Sequence, residues 1–254
     1  MTDSRTPWLR RFHPAAPGAP RLVCFPHAGG AASYYHPLSA TLAPAVDVLA
    51  VQYPGRQDRH AEPMVDDLFV LADRLADVLA AEVAGPTAFF GHSMGASLAF
   101  EVARRLGPGL LGLFVSGRRA PSEFREGPVP ERSDDELLAD VRRIGGTDPR
   151  VLAHPELLRL VLPVLRNDYK AAQSYHYRPG PDVGCPVFAL FGDSDPRVTE
   201  AEARQWAAHT SGFFELKSFP GGHFYLNDHL EEVGGLLRER LTRSTDEPLA
   251  SGQQ

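Results

Sequence analysis

The chain has 254 residues, of which 43% are hydrophobic, and a formal net charge of -6 at pH 7. This length and apolar content favour a single α/β domain over two independent domains. The acidic balance argues against nucleic acid as the main partner, because such binding normally needs a concentrated basic face, and we expect no nucleic-acid partner. Cys24 and Cys185 both lie in apolar runs. We expect them to be buried strand residues that form neither a disulfide scaffold nor a metal site.

Neither a signal peptide nor a membrane span is expected from the sequence. Residues 1–5 are polar and no apolar segment follows them. The apolar run at 110–115 is far shorter than the roughly 18 residues that a membrane-spanning helix needs. We therefore expect a cytoplasmic protein without a membrane partner.

The first half of the chain alternates strand-like and helix-like segments. After a leader punctuated by prolines, the sequence predicts buried strands at residues 21–25 and 46–51. Apolar residues then recur every three or four positions from 65 to 83, which predicts an amphipathic helix. A strand at 87–90, a helix that ends near Gly107 and a strand at 110–116 follow. This alternation predicts a mostly parallel sheet with helices on both faces.

The segment between about residues 121 and 181 differs, because strand-like runs vanish from it. We expect an inserted helical lid within the domain. Ser133, with Glu136 three positions later, matches the capping box that begins a helix. The short helical stretches are interrupted by glycines and by three prolines, Pro149, Pro155 and Pro163.

The sheet is predicted to resume after this segment. Residues 185–192 and 213–219 form the last two predicted strands, and a helix over about 226–241 closes the domain. The polar tail at 242–254 is expected to be frayed.

Residues 91–95, Gly-His-Ser-Met-Gly, match the Gly-x-Ser-x-Gly pattern of a nucleophile elbow. This pattern places a serine, here Ser93, on a sharp turn between a strand and a helix, where the glycines relieve crowding. A pattern of five residues can occur by chance in any sequence. Here the predicted strand before it and the predicted helix after it supply the context that the motif needs. The N-terminus of the helix would stabilise negative charge on a bound carbonyl oxygen. We therefore predict Ser93 as a nucleophile.

A serine hydroxyl needs a base that accepts its proton and a third group that orients the base. Asp195 follows the strand at 185–192 and His223 follows the last predicted strand, so both should lie at the carboxyl edge of the sheet, beside the elbow. The order Ser, Asp, His is the one expected on this fold. We predict His223 as the base and Asp195 as its orienting acid. Asp193 is the competing acid, interpreted as a turn former, and His92 is expected to pack beneath the turn or to orient it.

The oxyanion hole is predicted to use two backbone N–H groups. One belongs to Met94, the residue after the nucleophile, and the other comes from the loop at 27–30, where Ala28 is the favoured donor. The sequence contains no glycine-rich phosphate loop, and we expect no cofactor and no metal.

Several segments besides the elbow are typical of one family of enzymes. They lie at residues 8–12, 24–30, 52–56, 142–147, 162–168 and 192–196. Through them, and over nearly its whole length, the chain resembles the type II, or external, thioesterases that accompany polyketide synthases and non-ribosomal peptide synthetases. The elbow is shared with many hydrolases, so the Pro-Gly-Arg turn and the segments in the expected lid are more specific. The resemblance implies an α/β-hydrolase fold with Ser93, Asp195 and His223 as the triad and Met94 and Ala28 at the oxyanion hole.

The same resemblance implies a substrate and partners. Enzymes of this kind hydrolyse acyl groups from the phosphopantetheine arm of acyl and peptidyl carrier domains, which clears stalled units from an assembly line. We therefore expect carrier domains of such a synthase as partners and acyl-coenzyme A thioesters as surrogate substrates. The lid is expected to shape the acyl chamber and to admit the arm by moving.

Three alternatives stay open at this point. A general carboxylesterase or lipase would use the same triad but prefer oxygen esters to thioesters. A terminal, chain-releasing thioesterase is disfavoured because the sequence starts at its own methionine, with no carrier domain before it. A binding protein that docks on the synthase without turnover is disfavoured by the complete set of triad residues.

Three arginines have two interpretations each. Arg118 and Arg119 would contact a phosphopantetheine phosphate or an acidic carrier domain, or they are surface arginines, which we favour. For Arg56, in the Pro-Gly-Arg turn, we favour a structural hydrogen-bonding role over substrate contact.

Overall fold

A seven-stranded sheet organises the computed structural model, which describes residues 6–123, 133–146, 154–180 and 182–242. The order across the sheet is β1-β3-β2-β4-β5-β6-β7; β1 is antiparallel to β3 and every other neighbouring pair is parallel. The predicted mostly parallel sheet is therefore confirmed. The strands are β1 (Leu9–Arg10), β2 (Arg21–Phe25), β3 (Asp47–Val51), β4 (Thr87–His92), β5 (Leu110–Ser116), β6 (Val187–Gly192) and β7 (Phe214–Phe219).

Helices cover both faces of the sheet, as the sequence predicts. Successive side chains of a strand point to opposite faces, so Val23 and Phe25 of β2 join one core while Leu22 and Cys24 join another. The first core includes α2 and α3, and the second includes α1 and α7. The helices are α1 (His36–Leu42), α2 (Leu68–Glu82), α3 (Met94–Leu106), α4 (Asp134–Ile144), α5 (Pro155–Ser174), α6 (Glu200–Arg204) and α7 (Leu230–Thr242).

Among the described residues between β5 and β6, two helices, α4 and α5, lie inside the segment predicted to be a lid. The predicted capping box begins α4: the Ser133 hydroxyl accepts from the Glu136 N–H at 3.3 Å, and the Glu136 carboxylate accepts from the Ser133 N–H at 2.8 Å. Pro155 agrees with the predicted interruptions, because it is the first residue of α5, a position that tolerates proline. Pro163 does not, because it lies inside the helix. The loss of one backbone hydrogen bond is tolerated there because one face of the following turns, which includes Val164 and Leu165, is buried.

Other expectations need correction. The sequence did not predict β1 or α1. Cys185 is buried but lies just before β6, because Pro186 has no N–H for the ladder and the first donor is Val187, 2.8 Å from the Phe213 carbonyl. Cys24 lies in β2 as predicted, and both cysteines are free thiols. Pro149 and all of the predicted frayed tail except residue 242 lie outside the described residues.

None of the helices in the described ranges is both long and apolar enough to cross a membrane.

Candidate active site

Ser93 forms the turn between β4 and α3, with φ 56° and ψ -118°. A positive φ is uncommon for a residue with a side chain and persists only where the surroundings enforce it. The flanking glycines make this turn possible: a Cβ at Gly91 would overlap the backbone of Gly95, and a Cβ at Gly95 would overlap the carbonyl oxygen of Phe25. The Ser93 N–H donates to the Ser116 carbonyl at 2.8 Å, which fixes the turn against β5.

Three side chains from three different strand ends meet beside this turn. His223 Nε2 lies 3.0 Å from Ser93 Oγ, and His223 Nδ1 lies 2.8 Å from Asp195 Oδ2. A carboxylate only accepts, so Nδ1 carries the proton and Nε2 is left to accept the serine proton. Asp195 and His223 are both buried. The structure therefore brings together the three residues predicted as a triad, in the hydrogen-bond order that proton transfer from serine requires.

The two neighbouring aspartates have different partners. Asp193 accepts from the Gly221 N–H and from the Ser194 hydroxyl, each at 3.0 Å, and thereby joins the loops after β6 and β7. The second carboxylate oxygen of Asp195 accepts from the Arg197 N–H at 2.8 Å, which fixes the plane of that carboxylate. Asp193 acts as the turn former that the sequence predicts.

Two backbone amides at the site are without an acceptor among the described residues. The Met94 N–H is at the first residue of α3, where amides have no partner within the helix. The Ala28 N–H lies in the loop after β2 and is equally unused, whereas the next amide, that of Gly29, donates to Asp168 Oδ2 at 2.8 Å. These are the two donors that the sequence predicts for an oxyanion hole. The Gly29 N–H is not a candidate donor, because it already donates to Asp168.

Two further buried histidines pack close to His223. The ring centroid of His92 lies 5.0 Å from that of His223, and its Nδ1 is 3.0 Å from Ser116 Oγ. The His27 ring lies 6.0 Å from that of His92. Burial lowers the pKa of His27 to about 3 and holds the pKa of His92 well below its ordinary value, and in both cases a proton on nearby His223 would add repulsion in the same direction. Both rings are therefore neutral near pH 7, and His92 packs beneath the turn as predicted.

Arg118 and Arg119 make contacts within the chain. Arg118 donates to Ser97 Oγ at 2.9 Å and to the Ala172 carbonyl at 3.2 Å. Burial, and then the charge of Arg119, lowers the pKa of Arg118 to about 9. Arg119 is likewise half-buried and forms an ion pair with Glu202 at 3.4 Å. Both arginines are therefore half-buried and bonded within the chain, so neither is the exposed surface arginine that we favoured from the sequence.

Asp168 is a residue of this region that sequence reasoning did not single out. It lies on α5, and its carboxylate pairs with the guanidinium of Arg56 at 2.6 Å. In the sequence analysis Asp168 appears only as the last residue of segment 162–168, one of the segments that carry the family resemblance. The signal that could have identified it is an acid among the buried positions of a helix, but its partner is 112 positions away in the chain. For Arg56, the favoured structural hydrogen-bonding role matches what the structure shows.

Comparisons with known proteins agree with this geometry. Residues 20–241 match the family model described as the thioesterase domain. The chain is 52% identical over 241 residues to thioesterase PikA5 of Streptomyces venezuelae, which covers 92% of this chain and 85% of that protein. It is also similar to the solved structure of the type II thioesterase BorB from the borrelidin biosynthetic cluster, with TM-score 0.85, 52% identity, and 92% and 97% of the two chains covered.

A more distant solved structure shows the same architecture. YbtT, a type II thioesterase from the yersiniabactin NRPS/PKS biosynthetic pathway, aligns with TM-score 0.82 at 32% identity, covering 92% of this chain and 98% of that one. The chain therefore belongs to the thioesterase family and, within its α/β-hydrolase fold, to the type II thioesterases of polyketide and non-ribosomal peptide systems.

Proposed function

We propose that this thioesterase hydrolyses acyl groups from the phosphopantetheine arm of carrier domains, through an acyl-enzyme on Ser93. The observation that carries the proposal is the hydrogen-bonded chain from Ser93 Oγ through His223 to Asp195, at 3.0 and 2.8 Å, beside two unused backbone amides. The family membership supplies the class of bond. The relatives from polyketide and peptide pathways support a carrier-bound acyl group as the substrate.

In each half of the proposed reaction His223 acts first as a base and then as an acid. His223 Nε2 takes the proton from Ser93 Oγ as that oxygen attacks the thioester carbonyl, and the N–H groups of Met94 and Ala28 bind the resulting oxyanion. The carbon–sulfur bond then breaks, the pantetheine thiol leaves with the proton from His223, and the acyl group stays on Ser93. Water then gives a proton to His223 and attacks the ester carbonyl. The bond between that carbon and Ser93 Oγ breaks, the free acid leaves, and His223 returns the proton to Ser93 Oγ, which restores the hydroxyl.

The helices α4 and α5 support the proposed lid at residues 121–181. Ala28 packs against a small apolar cluster from these two helices, formed by Leu137, Val141, Leu165 and Tyr169. On the other side, a Cβ at Gly146, beyond the end of α4, would overlap the ring of Phe224, the neighbour of His223. Both helices therefore contact loops that carry the reacting groups. We propose that they shape the acyl chamber and move to admit the arm.

The test is release of free acid from acyl-carrier-protein and acyl-coenzyme A thioesters, compared with a p-nitrophenyl ester of the same acyl group. For the native protein we expect faster hydrolysis of thioesters. For Ser93→Ala we expect loss of at least about a thousandfold in kcat, because the nucleophile is removed. The matched control is Ser194→Ala, which removes a hydroxyl bonded to Asp193 rather than to the imidazole.

Each other outcome selects a different function. Activity confined to the oxygen ester would indicate the carboxylesterase alternative. Thioester hydrolysis that persists in Ser93→Ala would contradict the proposed nucleophile. Carrier-protein binding without any turnover by the native protein would indicate the docking alternative. Equal activity on coenzyme A and carrier-bound thioesters would place recognition in the acyl group and the shared phosphopantetheine arm rather than in the carrier domain. A cytoplasmic location stays a prediction from the sequence.

A further inference from the structure

One buried ion pair contacts the loop that carries the Ala28 amide at two points. Asp168 Oδ2 accepts from the Gly29 N–H at 2.8 Å, and Arg56 Nη1 donates to the Gly30 carbonyl at 2.9 Å. The carboxylate thus binds one glycine of this loop and the guanidinium binds the next. The residue before them is Ala28, whose own N–H has no acceptor among the residues described.

The pair is rigid by its own geometry. The two contacts between the guanidinium of Arg56 and the carboxylate of Asp168 are 2.6 and 2.8 Å long, which makes the pair bidentate. The side chains are 7% and 4% exposed. The side-chain amide of Asn167 donates to Asp168 Oδ1 at 3.2 Å, and that of Gln52 donates to the Arg56 carbonyl at 3.2 Å. Neither charged group is free to turn away from the loop.

The loop itself is a tight turn whose shape the pair maintains. The Gly30 N–H donates to the His27 carbonyl at 2.9 Å, and Gly29 has φ +79°, the geometry of a type II turn. In such a turn the peptide between the two central residues has one of two opposite orientations, and the bond to Asp168 selects one. Leu165 of α5 fills the space beside Gly29, where a Cβ would overlap it. The turn is therefore held by α5 and not by β2 alone.

We propose that Asp168 and Arg56 are a positioning pair, which holds the Ala28 amide at the oxyanion hole and makes catalysis depend on the seating of α5. This inference rests on the proposed function, because it assigns the Ala28 N–H to that hole. Neither side chain touches the reacting atoms. The pair acts through the turn at residues 27–30, and α5 is the element through which an acyl group or a carrier domain would act on the oxyanion hole.

Stability alone does not account for the pair. Replacing a buried ion pair with apolar side chains of similar volume is often neutral or stabilising, so burial of two charges is weak evidence for a stabilising role. Here both charged groups also contact the backbone of one short loop. Displacing a catalytic group by about 1 Å typically costs on the order of a hundredfold in rate, so an anchor of this kind affects the chemical step.

The decisive variant is the double substitution Arg56→Met with Asp168→Leu, which removes both charges together and leaves neither one buried alone. We expect a folded protein whose kcat on an acyl-N-acetylcysteamine thioester falls about 10- to 100-fold. We expect KM to stay within about threefold, because the pair does not contact the substrate. A trifluoromethyl ketone analogue adds to Ser93 and places an oxyanion in the hole, so its inhibition constant should weaken by the same factor as kcat.

Single variants separate the two contacts. Asp168→Asn keeps an oxygen that accepts from Gly29 but loses the charge opposite Arg56. Arg56→Lys keeps the charge but loses the forked geometry that also contacts Gly30. We expect a smaller loss of kcat from either, again without a matching rise in KM. The control is Glu215→Gln, which breaks another bidentate pair, with Arg240, between β7 and α7; its kcat should equal that of the native protein.

The outcomes distinguish this inference from the proposed function. If Ser93→Ala abolishes thioester hydrolysis while the folded double variant keeps kcat and analogue binding within about twofold of native, the positioning role is wrong and the serine mechanism stands. A rise in KM alone would also overturn it, because it would assign the pair to substrate binding. If the double variant does not fold, Arg56→Lys decides on the same two readouts. Loss of the proposed function itself would appear as activity that survives Ser93→Ala.

Discussion

Gly95 lies where the first turn of α3 passes closest to the end of β2. A Cβ at this position would overlap the carbonyl oxygens of both Phe25 and Pro26, and these backbone atoms have no side-chain freedom with which to yield. The neighbouring residue is Met94, whose amide is proposed to bind the oxyanion. The smallest side-chain change at this position therefore acts on packing and on the site together.

We predict that Gly95→Ala destabilises the protein by more than about 2 kcal/mol, as backbone-forced overpacking does. The thioesterase activity of the fraction that remains folded should also fall, because α3 and the Met94 N–H must shift away from β2. Urea unfolding, together with the specific activity below the transition, measures both effects.

Gly235→Ala is the matched control for this prediction. Gly235 lies in α7, and a Cβ there meets nothing within 4 Å. Alanine in an open helical position should stabilise the protein by about 0.5–1 kcal/mol. Equal effects of the two substitutions on stability and activity would contradict the packing argument for Gly95.

At the scale of single elements, α4 has its own start signal. The capping box of Ser133 and Glu136 is exposed and satisfies backbone N–H groups at the N-terminus of the helix. Three acidic residues in its first turn and two arginines in its last turn complement the helix dipole. The helix is joined to the rest of the molecule by an ion pair between Asp140 and Arg197.

We predict that Ser133→Ala weakens α4 by about 1 kcal/mol, the usual cost of losing a cap. Because the helix contributes few residues to the main cores, the effect should be a local opening rather than a change in global unfolding. Hydrogen–deuterium exchange of peptides from residues 134–144 should accelerate about fivefold, while peptides from β4 keep their rates.

Thr199→Ala removes the equivalent hydroxyl from the capping box of α6 and is the control. Its effect should be confined to peptides from α6. If Ser133→Ala accelerated exchange in the sheet as well, α4 would be part of the same cooperative unit as the sheet, contrary to the prediction.

The sequence predicts individual elements well where a strong local pattern exists. The bounds of β2 and β5 match the prediction. The helix α2 begins three residues later than predicted because Asp67 caps it, accepting from the Phe69 and Val70 amides. The two-residue strand β1 has no pattern of its own, since only its pairing with Val51 and Ala50 makes it a strand. Pro163 suggests a break by local rules, yet packing carries α5 through it.

At the scale of the whole molecule, the neutral histidines make stability depend on pH. The pKa of His27 is lowered to about 3 and that of His92 lies well below the ordinary 6.5, in both cases chiefly through burial. Below about pH 6.5 the unfolded chain binds protons at both residues that the folded chain does not bind, so the free energy of unfolding falls as the pH falls. The limiting slope is about 1.4 kcal/mol per pH unit for each histidine.

We predict that His27→Gln flattens this dependence. Between pH 6 and pH 4 the variant should lose about 1.4 kcal/mol less stability per pH unit than the native protein, because one neutral buried imidazole is gone. Urea denaturation at several pH values measures the slopes directly. Parallel curves for native protein and His27→Gln would contradict the assignment.

Those residues of the candidate site that directly follow a strand could be predicted from the sequence. Ser93, Asp195, His223 and Ala28 each follow a different strand, and parallel strands bring those ends to one edge. Contacts between side chains far apart in the sequence could not be predicted. The contact of Asp168 with Arg56 spans 112 positions, and that of Asp168 with Gly29 spans 139. Such pairs depend on how α5 is seated, which no local pattern encodes.

The Arg56–Asp168 pair also limits which chimaeric proteins can be built by exchanging the predicted lid. Segment 121–181 begins after β5 and ends before β6, so it looks like a cassette that a relative's segment could replace to alter acyl selectivity. Both of its boundaries lie outside the strands. Asp168 travels with the cassette, however, whereas Arg56 and Gly29 stay with the host. A functional exchange must therefore transplant both sides of this contact, and donors should be chosen for a matching acid at this point of the helix before their chamber shape is considered.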